Sequence, residues 1–267
     1  MISLKEVDAG YGGKVILHDI SLEINEPSIY IVLGKNGAGK TTTLRVIAGI
    51  LKPFKGERTV KGSIAYSSHS LALPEEMIVK EALTFFSQLL GGDVNKAIQM
   101  FKLQDLLDKK IANLSEGQKK RVSLAKIFLK DYDIYLLDEP TNALDPILAS
   151  EFRNRIVELS KNKIVIYTSH NLYEARDIGK YVILIDNGKI VKFSSVSDIK
   201  VKEYLIGIRA SKDLTNLLPG YYQGEYYIVK VKDPSDVNTI VEKLVKEGIQ
   251  IYEVKEMKNP LEDLLSG

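Results

Sequence analysis

The sequence predicts an α/β fold: a mostly parallel β-sheet covered by helices, an antiparallel β edge, an all-helical subdomain, and a small C-terminal α+β (βαβ) domain. Three observations carry this expectation. Short β-branched runs alternate with helical patterns through most of the chain, as in SIYIVL (28–33), IYLLD (134–138), KIVIYTS (163–169) and YVILID (181–186). These runs are apolar almost throughout, the pattern of strands buried on both faces of a parallel sheet. Between about 75 and 131 only helical periodicity is present.

Taken in order, ISLKEV (2–7) and VILHDISLEI (15–24) precede the first helix and read as the antiparallel edge. SIYIVL leads into a helix at about 40–49. MIVKEALTFFSQLL (77–90), VNKAIQMFKLQDLL (94–107) and SEGQKKRVSLAKIFL (115–129) form the helical subdomain, placed at about 70–131. IYLLD is followed by a helix after Pro146, and KIVIYTS by another. YVILID and KIVKF flank an Asn-Gly turn. After about 205 the texture changes to a βαβ unit: YYIVKVK, a helix, then IQIYEVKEM. That helix is expected to have Asp233 as N-cap, Pro234 at its first turn and Gly248 just past its end, with Val237, Ile240, Val241, Leu244 and Val245 on one face. The expected domains are 1–204 and 205–267.

Composition removes several function classes. The 267 residues are 45% hydrophobic and 27% charged, which suits an ordinary globular protein. A net charge of +2 gives no reason to expect nucleic-acid binding. With no cysteine, disulfides, thiolate metal sites and cysteine nucleophiles are excluded. The start, MISLKEVDAG, is charged by its fifth residue, so no secretory leader is expected. No apolar run approaches the ~20 residues of a membrane span, so any membrane role is expected through a partner.

GKNGAGKT (34–41) fits G-x-x-x-x-G-K-[ST] and lies after a strand and at the start of a helix, as a P-loop must. Glycines let backbone N–H groups turn toward phosphate oxygens, and the helix N-terminus adds a favourable dipole. Gly34, Lys35, Asn36, Gly37, Ala38, Gly39, Lys40, Thr41 and Thr42 are therefore candidate nucleotide-binding residues, with Lys40 to neutralise the β- and γ-phosphates. In IYLLDEPTN (134–142), Asp138 and Glu139 emerge together from a buried strand. Buried anions need a cation or hydrogen bonds. Thr41 and Asp138 suit Mg²⁺, which takes hard oxygen ligands. Glu139, one residue on, suits the base that orients an attacking water.

With these motifs in hand the chain resembles the ATP-binding cassette (ABC) transporter ATPases. LSEGQKKR (114–121) is similar to the family signature, with Glu116 where glycine is commoner. NALD (142–145) resembles the D-loop that ends in Asp145, and TSH (168–170) the switch histidine, His170. Tyr11 lies where the family places the aromatic that stacks on adenine. The resemblance spans residues 1 to about 195. It implies a P-loop NTPase fold and ATP hydrolysis with Mg²⁺, Lys40, Glu139 and His170 being catalytic. It also implies that Ser115, Glu116, Gly117 and Gln118 meet the ATP of a second ABC ATPase subunit. From the residues alone, Ser115 and Gln118 make a capping box, while Gly117 costs a helix ~1 kcal/mol and suits close approach by an anion. The Lys119-Lys120-Arg121 run reads as a solvated helix face.

One departure stands out. Where the family places a glutamine in the Mg²⁺ shell, SIAYSSHS puts His69, a poorer ligand for that ion. The implied partners are ATP, a like subunit and an integral membrane transporter subunit, with the chain cytoplasmic and peripheral on the inner face of the cell membrane. NPLEDLL (259–265) resembles the end of ATPases of the drug, lipid and antibiotic export class, which implies an exporter. The alternative is a soluble, non-transport member of the family, of the cluster-assembly, repair or translation type.

Overall fold

The computed structural model describes residues 1–68, 70–169, 172–198, 204–231 and 236–257, with backbone alone at 172 and 173. The chain divides into two compact units, Met1–Val196 and Ser197–Gly267. The first runs β1 (Ile2–Tyr11), β2 (Lys14–Ile24), β3 (Ser28–Leu33), α1 (Lys40–Ala48), β4 (Lys55–Val60), β5 (Ile64–Ser67), α2 (Val79–Leu90), α3 (Val94–Met100), α4 (Glu116–Ile127), β6 (Ile134–Asp138), α5 (Pro146–Leu159), β7 (Ile164–Thr168), α6 (Leu172–Ile178), β8 (Tyr181–Asp186) and β9 (Lys189–Ser195).

The apolar runs form one sheet of order β5-β6-β7-β3-β8-β9. All its pairings are parallel except β8 with β9, which return on each other through Asn187 and Gly188, both at positive φ. Every residue of β3, β6 and β7 is buried, which is why the sequence shows no alternation there. β1 and β2 pair antiparallel, as expected, but they belong to a separate sheet of order β2-β1-β4. β1 is hydrogen-bonded on both sides, by β2 and β4, so it cannot serve as an edge of the larger sheet. Helix α1 is buried with both sheets: Leu44, Val46 and Ile47 join Leu4, Leu17 and Ile20 from one and Ile134, Leu136, Ile166 and Ile183 from the other. Phosphate-loop helix and strand ends thus share one core.

The helical insertion is present as α2, α3 and α4. Ser115 caps α4: its hydroxyl accepts from the Gln118 N–H at 3.3 Å, and the Gln118 side chain accepts from the Ser115 N–H at 3.0 Å.

The second unit contains β10 (Tyr204–Ala210), β11 (Gly220–Gln223), β12 (Tyr226–Val231), α7 (Asp236–Lys246) and β13 (Ile251–Glu256). Its antiparallel sheet has the order β11-β12-β10-β13, so the βαβ crossover from β12 to β13 spans β10. The expected cap residues Asp233 and Pro234 lie outside the described residues, as does NPLEDLL. Val237, Ile240 and Leu244 pack into the unit's core with Ile206, Ile208 and Tyr227. Val245 does not. It is 59% exposed, because the apolar stripe ends with Leu244 and the chain turns away at Gly248.

Gly248 has φ +67°, with open space around its α-carbon. The N–H groups of Gly248 and Ile249 donate to Val245 and Leu244, closing the helix. Gly248→Ala is therefore expected to destabilise the chain by about 1–2 kcal/mol through left-handed backbone strain alone, read as a lower urea midpoint with unchanged slope.

Candidate functional site

Strand register brings the candidate residues together. Thr168, the last residue of β7, is paired with Val32 of β3 on one side and with Asp138 of β6 on the other. Its hydroxyl donates to Asp138 Oδ1 at 2.7 Å and accepts the Glu139 N–H at 2.9 Å. Asp138 Oδ2 accepts from the Thr41 hydroxyl, on α1, at 2.8 Å. Two threonine hydroxyls thus hold a carboxylate that is only 2% exposed.

The loop from Gly34 leads directly out of β3 into α1. Lys40 is buried, and its ammonium donates to the carbonyls of Gly34 at 2.8 Å and Lys35 at 3.3 Å. Burial pushes its pKa down, while the Glu139 and Asp138 carboxylates oppose that shift. Gly39 begins α1 at φ +112°, and a Cβ there would meet Leu17 at 2.7 Å. No side chain caps this helix start, so its first N–H groups face outward for an anion to satisfy.

Tyr11, Asn36, Gly37, Gly39, Lys40, Thr41, Thr42 and Glu139 line a cleft of about 290 Å³. Gly34, Lys35 and Ala38 do not line it; the first two hold Lys40 by their carbonyls, and Ala38 is buried. Tyr11 is 43% exposed, with its hydroxyl accepting from Arg45 at 3.0 Å and the guanidinium 5.7 Å from the ring centroid. Arg45, which sequence reasoning missed, ties the aromatic ring to α1. Glu139 sits at φ +46°, and its carboxylate accepts from the Asn142 amide. Its backbone strain is held by the Thr168 hydroxyl on its N–H.

Ser115, Glu116, Gly117, Gln118 and Asp145 do not line the cleft. Asp145 caps α5, accepting the Leu148 N–H at 3.0 Å. A Cβ on Gly117 would come within 2.5 Å of the Ala143 carbonyl, so bare backbone is required where α4 meets the NALD segment. His69 and His170 lie outside the described residues.

The solvated face expected of Lys119-Lys120-Arg121 is not found. Lys120 is 5% exposed, burial lowers its pKa, and Asp138 and Glu139 are the charges that oppose this. Lys119 pairs with Glu75 at 3.0 Å, and Arg121 donates to the Phe101 carbonyl at 3.0 and 3.1 Å. Helix α4 packs on α2, α3 and β5, which leaves no face free for three cations.

The donor set suits Mg²⁺. Thr41 and Asp138 bring two hard oxygens together from two elements. Among the described residues no cluster of three His, Cys, Asp or Glu forms a metal cage. A cation held here would take its remaining ligands from phosphate and water, as Mg²⁺ does.

Comparison with known proteins fits this geometry. The family model described as ABC transporter matches residues 17–142. The uncharacterized ABC transporter ATP-binding protein MJ1023 of Methanocaldococcus jannaschii is 32% identical over 206 residues, covering 74% of this chain and 79% of that protein. The chain belongs to the ABC transporter ATP-binding proteins. It is an ATPase of that family and carries the family's fold. The maltose/maltodextrin import ATP-binding protein MalK of Yersinia pestis is 31% identical, over 72% of this chain and 57% of that protein. The solved dimeric structure of MJ0796, a bacterial ABC transporter cassette, superposes with a TM-score of 0.67 at 23% identity, over 73% of this chain and 99% of that one.

Thr168 is the residue on which this ABC ATPase's strand ends converge. Thr168→Val keeps the shape but strands Asp138 Oδ1 and the Glu139 N–H. It is expected to cost about 1–3 kcal/mol for each group left unpaired, read by thermal unfolding, with Thr168→Ser close to the unsubstituted chain.

Proposed function

We propose that residues 1–204 bind ATP in the cleft and hydrolyse it to ADP and phosphate, and that this drives a membrane transporter. The single observation that supports this most is the meeting of Lys40, Thr41 and Glu139 on the cleft lining, with Asp138 hydrogen-bonded to Thr41. In this reading Tyr11 stacks on the adenine, and Gly34 to Thr42 wrap the phosphates with backbone N–H groups. Lys40 exchanges its two loop carbonyls for the β- and γ-phosphate oxygens. Thr41 and Asp138 hold Mg²⁺, which when bound supplies positive charge against the phosphate oxygens. Glu139, held by Asn142, orients a water in line with the γ-phosphorus. The water oxygen bonds to phosphorus as the bond to the bridging oxygen breaks, and ADP leaves. His170 is assigned to the γ-phosphate. His69 gives a weaker metal contact than the usual glutamine would.

Each chain has one phosphate loop and one LSEGQ segment, so a second copy or a paralogue completes the site. Ser115, Glu116, Gly117 and Gln118 then face the partner's nucleotide, with Asp145 at the seam. ATP closes the pair and hydrolysis reopens it. In this reading the transporter partner is an integral membrane protein, as the names of the related ABC transporter proteins suggest; no helix among this chain's own described residues is long and apolar enough to cross a membrane. The outward Phe85 and Leu89 of α2 favour the helical subdomain as its contact. In this reading the chain is peripheral on the cytoplasmic face of the membrane. Export is our reading, from NPLEDLL after the βαβ segment; import is the second reading, favoured by the likeness to MalK.

Glu139→Gln is expected to lower turnover by about 100-fold or more while ATP still binds, and to hold an ATP-bound dimer visible by solution scattering. Full turnover in that variant would remove the catalytic assignment. Co-purification of the chain with a multi-span membrane protein separates a transport role from a soluble one. ATP-driven uptake into inverted vesicles of that complex is expected for an exporter, and efflux from them for an importer.

A further inference from the structure

A second buried carboxylate, Glu174 on α6, takes no part in lining the cleft, yet it gathers groups from both catalytic strand ends. It is 6% exposed. Its Oε1 accepts from the Thr141 hydroxyl at 2.8 Å and from the Tyr167 hydroxyl at 2.7 Å, with Arg153 Nη1 at 3.4 Å. Its Oε2 accepts from the Ser169 hydroxyl at 2.8 Å. A carboxylate taken out of water costs several kcal/mol unless its lone pairs are satisfied. Here three hydroxyls and a guanidinium satisfy them. Burial first, and the Glu174 charge second, push the Tyr167 pKa well up, so that phenol stays a donor.

The origin of the donors is what matters. Thr141 lies two residues after Glu139 and directly before Asn142, whose amide holds the Glu139 carboxylate. Ser169 follows Thr168, whose hydroxyl holds Asp138 and the Glu139 N–H, and precedes His170 in the sequence. The Thr141 and Tyr167 hydroxyl oxygens also lie 3.1 Å apart. Simple burial of an acid needs donors from anywhere. Two of the four, Thr141 and Ser169, come from the segments that directly follow β6 and β7, the first of which carries Glu139.

We infer that Glu174 is a positioning residue for hydrolysis, clamping the loop after β6 to the end of β7 through Thr141 and Ser169 so that Glu139 is held in its working orientation. This rests on the proposed assignment of Glu139 to the attacking water. Glu174 does not line the cleft and acts only through the residues it holds. A displaced base of this kind slows the chemical step while leaving phosphate binding intact, because the Lys40 loop is built from other residues.

Glu174→Gln keeps the size of the side chain but turns one acceptor oxygen into a donor, so the four contacts cannot all persist. Steady-state ATPase assays on the full chain are expected to show kcat lowered about 10- to 100-fold with KM for ATP within about twofold of the unsubstituted value. Thr141→Val is expected to lower kcat in the same way, and to add nothing further on the Glu174→Gln background. Should Glu174→Gln fail to fold, Thr141→Val and Ser169→Ala leave the carboxylate in place and carry the same expectation. Unchanged kcat in the folded variants overturns the inference. So does a loss in which KM rises and the melting midpoint falls together, the mark of a merely structural acid. Glu139→Gln, run alongside, separates the two levels. Full turnover there overturns the site assignment and this inference together, whereas abolished turnover with normal Glu174→Gln kinetics overturns this inference alone.

Discussion

The site depends on one alignment: three parallel strands end side by side, and a threonine in the middle strand bonds across to its neighbour. Because Thr168 is opposite both Val32 and Asp138, the turn into the phosphate loop and the exit of the acidic strand cannot drift apart without breaking sheet pairing. Slipping that pairing by one residue would turn Asp138 to the other face. The apolar bulk of β3, β6 and β7 makes such a slip costly, since every residue in them is buried. Ordinary core packing therefore does the first part of the chemistry, bringing a carboxylate within reach of Thr41.

Helix α1 transmits that order to the rest of the cleft. Its apolar side is locked between the two sheets, while its start carries Lys40 and Thr41 and its last turn carries Arg45. Arg45 holds Tyr11, which belongs to the antiparallel sheet. Both ends of the proposed nucleotide, base and phosphate, are thus referred to a single rigid helix. The same economy appears on the acidic side, where the Asn142 amide and the Thr168 hydroxyl both bond a Glu139 whose backbone is strained. Strain of 1–3 kcal/mol persists only where neighbours over-determine it, and here they do.

What could be read in advance follows from where the chemistry is written. Local signals were legible: the glycine spacing before Lys40, the acidic pair after an apolar strand, the Ser115 and Gln118 box. Each is a consequence of nearby residues. Non-local facts were not. β4 reads KGERTV, too polar to announce a strand that completes a second sheet. β10 inserts between β12 and β13 through pairing that no local pattern encodes. Lys120 reads as a surface cation because burial on three sides of α4 depends on α2, α3 and β5. Glu174, in NLYEARD, has the look of any exposed helix acid; only tertiary packing reveals the hydroxyls that surround it.

We propose that Asp138, positioned by Thr168 and bonded to Thr41, is the carboxylate that holds the metal of a metal–nucleotide complex. Electron paramagnetic resonance of Mn²⁺ titrated into the full chain with ATP tests it directly. A saturable bound signal that requires ATP is expected, with an affinity that falls at least about 10-fold in Asp138→Asn and in Thr41→Val, that is, by about 1.4 kcal/mol or more. Mn²⁺–ATP bound as tightly by Asp138→Asn as by the unsubstituted chain would contradict it.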